Sequence, residues 1–406
     1  MLTKRLLNKF VIFIALLCFT FGNDISAKIN VKINPSGDSW WQSYNNYGLP
    51  GDQSYITFDL EKHNDTNELK IQILNNFKND LIFGESFFKK KFSNQSYLKF
   101  GRYYRDFSLY LNDELSSGSL LISQNAEPMP KIGYVSNISF KNLNFKIGLS
   151  HAVFNESEIY TKAPQLHEKF IYLNVNKNQY SYGIGLVHEA MWGGSSSELG
   201  DFPNSFNDFL KVVIAADGEK GENDAHANAL GNHLGIWDFF LIKNNDTNSF
   251  KLYYQHIFED TSGLRFANQT DGLWGIEIDN YVPLTTIVVE YLDTTKCCID
   301  PPYVDDKYYD NYQYQTGWSY KNYTLGNPLI PRLPFESSRY LFLGIGAQID
   351  SYKIKIKSSK DIFKKSDTNY KISFIKSFDK SSLELFLVNS INQQKQVGLM
   401  LLRNLN

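Results

Sequence analysis

The sequence predicts an all-β chain that crosses a membrane as a closed antiparallel β-barrel of about 18 strands. Three observations predict it. Apolar and polar residues alternate with period two through most of the chain, the pattern of strands with two unlike faces. Beyond the first 27 residues, no apolar run approaches the roughly 20 residues that a membrane-crossing helix needs. Clusters of Asn, Asp, Lys and Ser break the alternation about every 21 residues, which suits strands of about ten residues joined by short and long loops. With no helix able to cross, a closed barrel is the remaining structure that satisfies every backbone group in lipid.

Residues 1–27 read as a secretory signal, with 28–406 as the barrel. Lys4, Arg5 and Lys9 give the basic start, Val11 to Phe21 the apolar centre, and Ala27 the last residue before cleavage. Leu17 stands before Cys18 where a lipoprotein needs a small residue, which argues against lipidation. The formal net charge is −2, and loss of the leader makes it more acidic, so no basic surface for nucleic acid is available. Residues 28–53 read as an irregular lead-in, with turn signals at Pro35-Ser36-Gly37-Asp38 and Leu49-Pro50-Gly51-Asp52.

From there the strands follow. Ile56, Phe58 and Leu60 alternate with Thr57 and Asp59; Leu143, Phe145, Ile147 and Leu149 alternate with Asn144, Lys146 and Gly148. Tyr352, Ile354 and Ile356 face away from Lys353, Lys355 and Lys357, and Leu383, Leu385 and Leu387 keep the pattern to Val397, Leu399 and Leu401. Tight turns near Asn142 and Asp379 contrast with long irregular stretches at 112–132, 190–209, 216–230 and 293–312. In an outer-membrane barrel, short turns face the periplasm and long loops face outward. The adjacent Cys297-Cys298 pair forms either a vicinal disulfide or two free thiols, and closes no loop worth constraining.

Between Gly183 and Gly275, four stretches join a His or Trp to small glycines: those around His188 to Trp192, His233 to Trp237, His256, and Trp274. With Leu115-Ser116-Ser117-Gly118-Ser119-Leu120, Asn125-Ala126-Glu127-Pro128-Met129-Pro130, Gly317-Trp318-Ser319-Tyr320 and Gly326-Asn327-Pro328-Leu329, they resemble the Wzi capsule-assembly family in order and spacing. The resemblance implies an 18-stranded barrel in the outer membrane of a Gram-negative bacterium. It implies a lectin that holds capsular polysaccharide or exopolysaccharide at the surface without making or exporting it. Its other partners would be outer-membrane lipid and the barrel-assembly machinery.

The chemistry-bearing residues allow several readings. A metal site would need His188, His233 and His256 to converge with a carboxylate such as Asp238 or Glu259, and no short helical zinc spacing is present. The simpler expectation places His188, His233, Asp238 and His256 as hydrogen-bonded polar groups of the lumen. Ser195 to Ser197 follow Gly193-Gly194 without a nucleophile elbow, and adjacent Glu259-Asp260 would point to opposite faces of a strand. The glycines precede no helix that would bind phosphate, so no cofactor is expected. No catalytic residue is assigned.

Sugar contact is expected on the long loops. Trp192 enters one beside its Gly-Ser run; Asp217, Glu219, Glu222 and Asp224 line another; Asp305, Asp306, Tyr308, Tyr309, Asp310 and Tyr312 form a third group. Aromatic faces cover sugar C–H faces while carboxylates bond hydroxyls, although Trp192, Trp237, Trp274 and Trp318 also suit an aromatic girdle. The competing functions are a surface lectin, an outer-membrane porin and a barrel-embedded hydrolase.

Overall fold

The computed structural model describes residues 25–33, 45–48, 54–76, 81–92, 95–218, 229–297, 306–389 and 396–405. Eighteen antiparallel staves run in chain order around one closed sheet. They are β1 (Ile25–Ile33), β2 (Tyr55–His63), β3 (Asn67–Asn75), β4 (Leu81–Phe83 with Ser86–Lys91), β5 (Ser96–Arg102) and β6 (Pro130–Phe140). Next come β7 (Leu143–Val153), β8 (Gln165–Lys177), β9 (Tyr180–Trp192), β10 (Asn232–Asn244), β11 (Ser249–Phe258) and β12 (Gly272–Asp279). The last are β13 (Thr285–Asp293), β14 (Arg339–Ile349), β15 (Tyr352–Asp361), β16 (Asn369–Phe378), β17 (Ser381–Asn389) and β18 (Gln396–Asn404). Both pieces of β4 pair with β3, so they count as one interrupted stave. β1 closes the barrel on β18, from Lys28 opposite Asn404 to Ile33 opposite Leu399. No edge remains, which is what lipid requires of a sheet.

The first stave corrects the expected irregular lead-in: Ile25–Ile33 is a strand, paired along its length with β2 and β18. The turn signals at 35–38 and 49–52 lie outside the described residues, as do residues 1–24. Among the described residues, no helix is long and apolar enough to cross a membrane. The crossing is made by strands.

The alternation sorts side chains as the sequence indicates. On β7, Ile147 and Leu149 are exposed to lipid, while Ser150 and Ala152 are buried toward the lumen. On β15, Ile354 faces out, and Lys353 and Lys355 turn in to Glu114 at 2.8 and 3.1 Å. A slip of one residue would put those lysines into lipid, so the register is strongly set.

The connections fall into two sets. Short turns join β2–β3, β4–β5, β6–β7, β8–β9, β10–β11, β12–β13, β14–β15 and β16–β17, at the same end as the start of β1 and the finish of β18. Lys141, Asn178 and Asp350 open two-residue turns with φ of 52°, 53° and 50°, a left-handed geometry that Asn and Asp tolerate best. All long connections lie at the other end. That polarity places the short-turn end in the periplasm and the long loops outside.

Candidate functional site

The long loop 103–129 does not stay at the rim. It folds into the barrel, held by carboxylates and amides of the lumen wall. Asp238 on β10 accepts hydrogen bonds from Ser108 Oγ at 2.5 Å, from Tyr172 OH at 2.7 Å, and from Tyr110 OH. Gln255 on β11 accepts from the Leu120 N–H at 3.0 Å and donates to Ser108 Oγ at 3.0 Å. Glu290 on β13 accepts from Ser116 Oγ at 2.6 Å, the Ser117 N–H at 2.7 Å and Tyr253 OH at 2.6 Å. Asp238, Gln255 and Glu290 have no exposed surface, so these pairings supply the hydrogen bonds that buried polar groups need. The loop reaches Glu114 beside Lys353, which is one residue inside the periplasmic end of β15. Gly344 and Gly346 on β14 leave room for Leu115; a Cβ on Gly344 would sit 2.1 Å from the Leu115 carbonyl oxygen.

A second loop locks over the first. Tyr309 OH donates to the Leu120 carbonyl, and Trp318 Nε1 donates to the Leu121 carbonyl at 2.9 Å. Asn327 Nδ2 donates to Ser117 Oγ and the Gly118 carbonyl at 2.9 and 2.7 Å, while Asn125 Nδ2 reaches the Thr324 carbonyl at 2.8 Å. The stretches Leu115 to Leu120, Asn125 to Pro130, Gly317 to Tyr320 and Gly326 to Leu329 are therefore parts of one interlocked plug. Leu120, Leu121, Tyr308, Tyr309 and Trp318 of these two loops are buried in one cluster with inward residues of the barrel wall such as Val187, Leu234 and Ile236.

Three of the four residues expected in the lumen stand elsewhere. Asp238 faces the lumen, but His188, His233 and His256 are on the outer wall. Parity decides this: Val187, Glu189 and Met191 are the buried inward positions of β9, so His188 shares its face with exposed Ile184 and Tyr182. Their polarity is met by neighbours outside the barrel. His188 Nε2 and His233 Nδ1 are 2.9 Å apart, and His233 Nε2 is 2.9 Å from the Leu230 carbonyl. His256 Nε2 is 3.0 Å from the Gly263 carbonyl, and its ring stacks on Phe266 with centroids 4.1 Å apart. Among the described residues, no group of three or more His, Cys, Asp or Glu is arranged to hold a metal ion.

The expected sugar contacts divide in the same way. Trp192 is 6% exposed, covered by Phe209 at 5.3 Å between ring centroids and by His151 at 5.7 Å, so it offers no free face for stacking. Asp306, Tyr308 and Tyr309 are buried in the plug. Asp310 is half-buried, and its carboxylate accepts from the Phe335 N–H at 3.5 Å. Asp217 is exposed beside its bridge to Ala229, and Tyr312 is 81% exposed. Glu219, Glu222, Asp224 and Asp305 lie outside the described residues. Ser195 and Ser196 are buried in a small sheet with Tyr160–Lys162 and Gly200–Asp201, and Ser195 Oγ meets Thr161 Oγ1 at 2.7 Å. Asp260 caps the short helix Thr261–Leu264. Cys297 is disulfide-bonded, and Cys18 and Cys298 lie outside the described residues.

One rim carboxylate makes the loop fit depend on pH. Asp271 precedes β12 and is fully buried. It accepts from the Lys296 N–H at 2.9 Å and from Tyr308 OH at 2.7 Å. Burial raises its pKa to about 7, against those hydrogen bonds and with help from Asp293. A raised folded-state pKa gives stability that is complete below the ordinary value of 3.8 and is lost as pH rises through about 7. Limited proteolysis of segment 294–338, normalised to a peptide substrate, should therefore be faster at pH 8 than at pH 5.5. Asp271→Asn should flatten that dependence; an unchanged slope in the variant would contradict the assignment.

The family model described as Capsule assembly protein Wzi matches residues 65–330. Among solved structures, the chain is similar to Wzi, an outer membrane protein involved in group 1 capsule assembly in Escherichia coli and described as a carbohydrate-binding β-barrel. The TM-score is 0.61 at 14% identity, over 94% of this chain and 84% of that one. At that identity the likeness is one of fold. A mutant of the Rh. blastica porin (TM-score 0.41, 9% identity, 94% and 99% covered) and Salmonella typhi OmpF (0.43, 11%, 94% and 97%) are more remote, and their scores carry nothing about function. No curated protein matches the chain.

Proposed function

The chain belongs to the Wzi capsule assembly family and is an outer-membrane β-barrel, and from that premise we propose that it is a non-catalytic lectin. It binds capsular polysaccharide or exopolysaccharide and helps attach it at the cell surface. The family match over residues 65–330 carries this reading. The geometry supports it against a porin, because the described lumen holds a folded, hydrogen-bonded plug where a porin has an open constriction. It supports it against a hydrolase as well: the buried Ser195 meets a threonine, not a histidine, and Asp260 is used as a helix cap. Outer-membrane lipid and the barrel-assembly machinery belong to the same reading.

The polymer meets the outward loops. Tyr312 and Asp217 are its exposed contacts, joined by Glu219, Glu222, Asp224 and Asp305 of the same loops. Trp192, Asp306, Tyr308, Tyr309 and Asp310 shape the surface from beneath. Single sugar contacts are weak, so a long polymer is held by many repeats engaging many copies. Purified protein in vesicles should co-sediment with polysaccharide from the same cells and leave its chain length unchanged. Tyr312→Ala should weaken this a few-fold and keep the heat-modifiable gel migration of a folded barrel. Shortened polymer would point to a hydrolase, and undiminished binding by the variant would remove Tyr312 from the site.

A further inference from the structure

The described part of loop 193–231 carries an eight-residue helix, α1 (Phe206–Val213), with a Ser205–Asp208 capping box. A helix this short is not stable alone in water and needs a surface to lie on. The first surface is the barrel's outer wall. Phe209 packs edge-on against His167 and His151, at 5.5 and 5.7 Å between ring centroids. Val212 is buried with Ala190 and Trp192, and Lys169 Nζ donates to the Val213 carbonyl. Lys169 lies four residues below the outer end of β8, which is about 13 Å at about 3.3 Å per residue. The helix therefore lies against the outer wall over the last few residues of β7, β8 and β9.

Its remaining apolar side is left exposed by the described residues. Phe206, Leu210 and Ile214 are 75%, 47% and 73% exposed. At about 100° per residue, Phe206 and Leu210 lie side by side, Val212 and Phe209 fall to one side of them toward the barrel, and Asn207 and Lys211 fall to the other. Phe206 and Leu210 thus mark an apolar direction between the barrel side and the polar side, and Ile214, the C-cap residue, lies at the border of the apolar and polar sides. The exposed apolar side continues the lipid-facing wall below it, where Ile171, Ile184 and Tyr182 are 47%, 41% and 45% exposed.

We infer that α1 is an interfacial anchor. Its Phe206–Leu210–Ile214 side is embedded among acyl chains of the outer leaflet, while Asn207 and Lys211 face the headgroups and water. The occupant is lipid because the patch is continuous with a wall that lipid already covers, and because the helix carries separate apolar and polar sides, as an interfacial helix does. The anchor would fix one end of the long loop that carries Asp217.

The test places a nitroxide, after single cysteine substitution, at Phe206, Leu210, Ile214, Asn207 or Lys211 in vesicle-reconstituted protein, labelled without reductant so that the native disulfide stays closed. Collisions with oxygen should exceed those with a water-soluble nickel chelate several-fold at 206, 210 and 214, with the order reversed at 207 and 211. Chelate dominance at all five positions would overturn the inference. So would dipolar broadening between labels at 210, which would mean that a second copy covers the patch. The unmodified chain gives an independent reading: a diazirine-bearing acyl chain should label segment 206–214 on illumination. Label confined to the barrel strands would likewise overturn it.

Discussion

Replacing Asp238 and Glu290 together with alanine is expected to turn a non-conducting barrel into a conducting one. These two wall carboxylates accept hydrogen bonds from Ser108, Tyr110, Ser116 and Ser117 of the plug. Each buried donor left without an acceptor costs about 1–3 kcal/mol, so the pair of substitutions should cost the docked loop about 5 kcal/mol or more. The strand ladder does not involve these side chains, so heat-modifiable migration should persist. Native protein in a planar bilayer should be silent, whereas the double variant should show steady conductance and rapid proteolysis within 103–129. Asp238→Asn with Glu290→Gln keeps acceptors in place and should stay closed. A silent, protease-resistant alanine variant would mean that the Tyr309, Trp318 and Asn327 contacts hold the plug unaided.

The barrel was legible because its physics is local. Lys353, Lys355 and Lys357 alternating with Ile354 and Ile356 can only be a strand with one wet face, and the structure turns Lys353 and Lys355 to Glu114 while Ile354 stays on the lipid side. The turns at Asn142 and Asp379 were equally readable, and so was the family, from the order of motifs. The alternation of β1 is masked by the apolar run at Val11 to Phe21 before it and the turn signals after it.

The candidate site was less legible. Whether a loop folds inward depends on partners far away in sequence, such as Ser116 with Glu290 or Asn327 with Gly118. Polarity also misleads about facing. His188, His233 and His256 look lumenal by composition, yet parity puts them outside, where loop carbonyls and neighbouring rings cover them. Trp192 looked free at a loop entrance, but the helix that covers it begins fourteen positions later, at Phe206. The signal for that cover was present in the spacing of Phe206, Phe209, Leu210 and Val213.

The central claim is retention of polymer at the surface, and its most direct measurement is the partition of polysaccharide between cell pellet and medium in cells with and without the gene. If the chain is a lectin, deletion should move most of the polymer into the medium while total synthesis stays near its normal level, because nothing in the machinery that makes the sugar has been removed. The wild-type gene should restore retention. Cells that keep all their polysaccharide after the deletion would contradict the account.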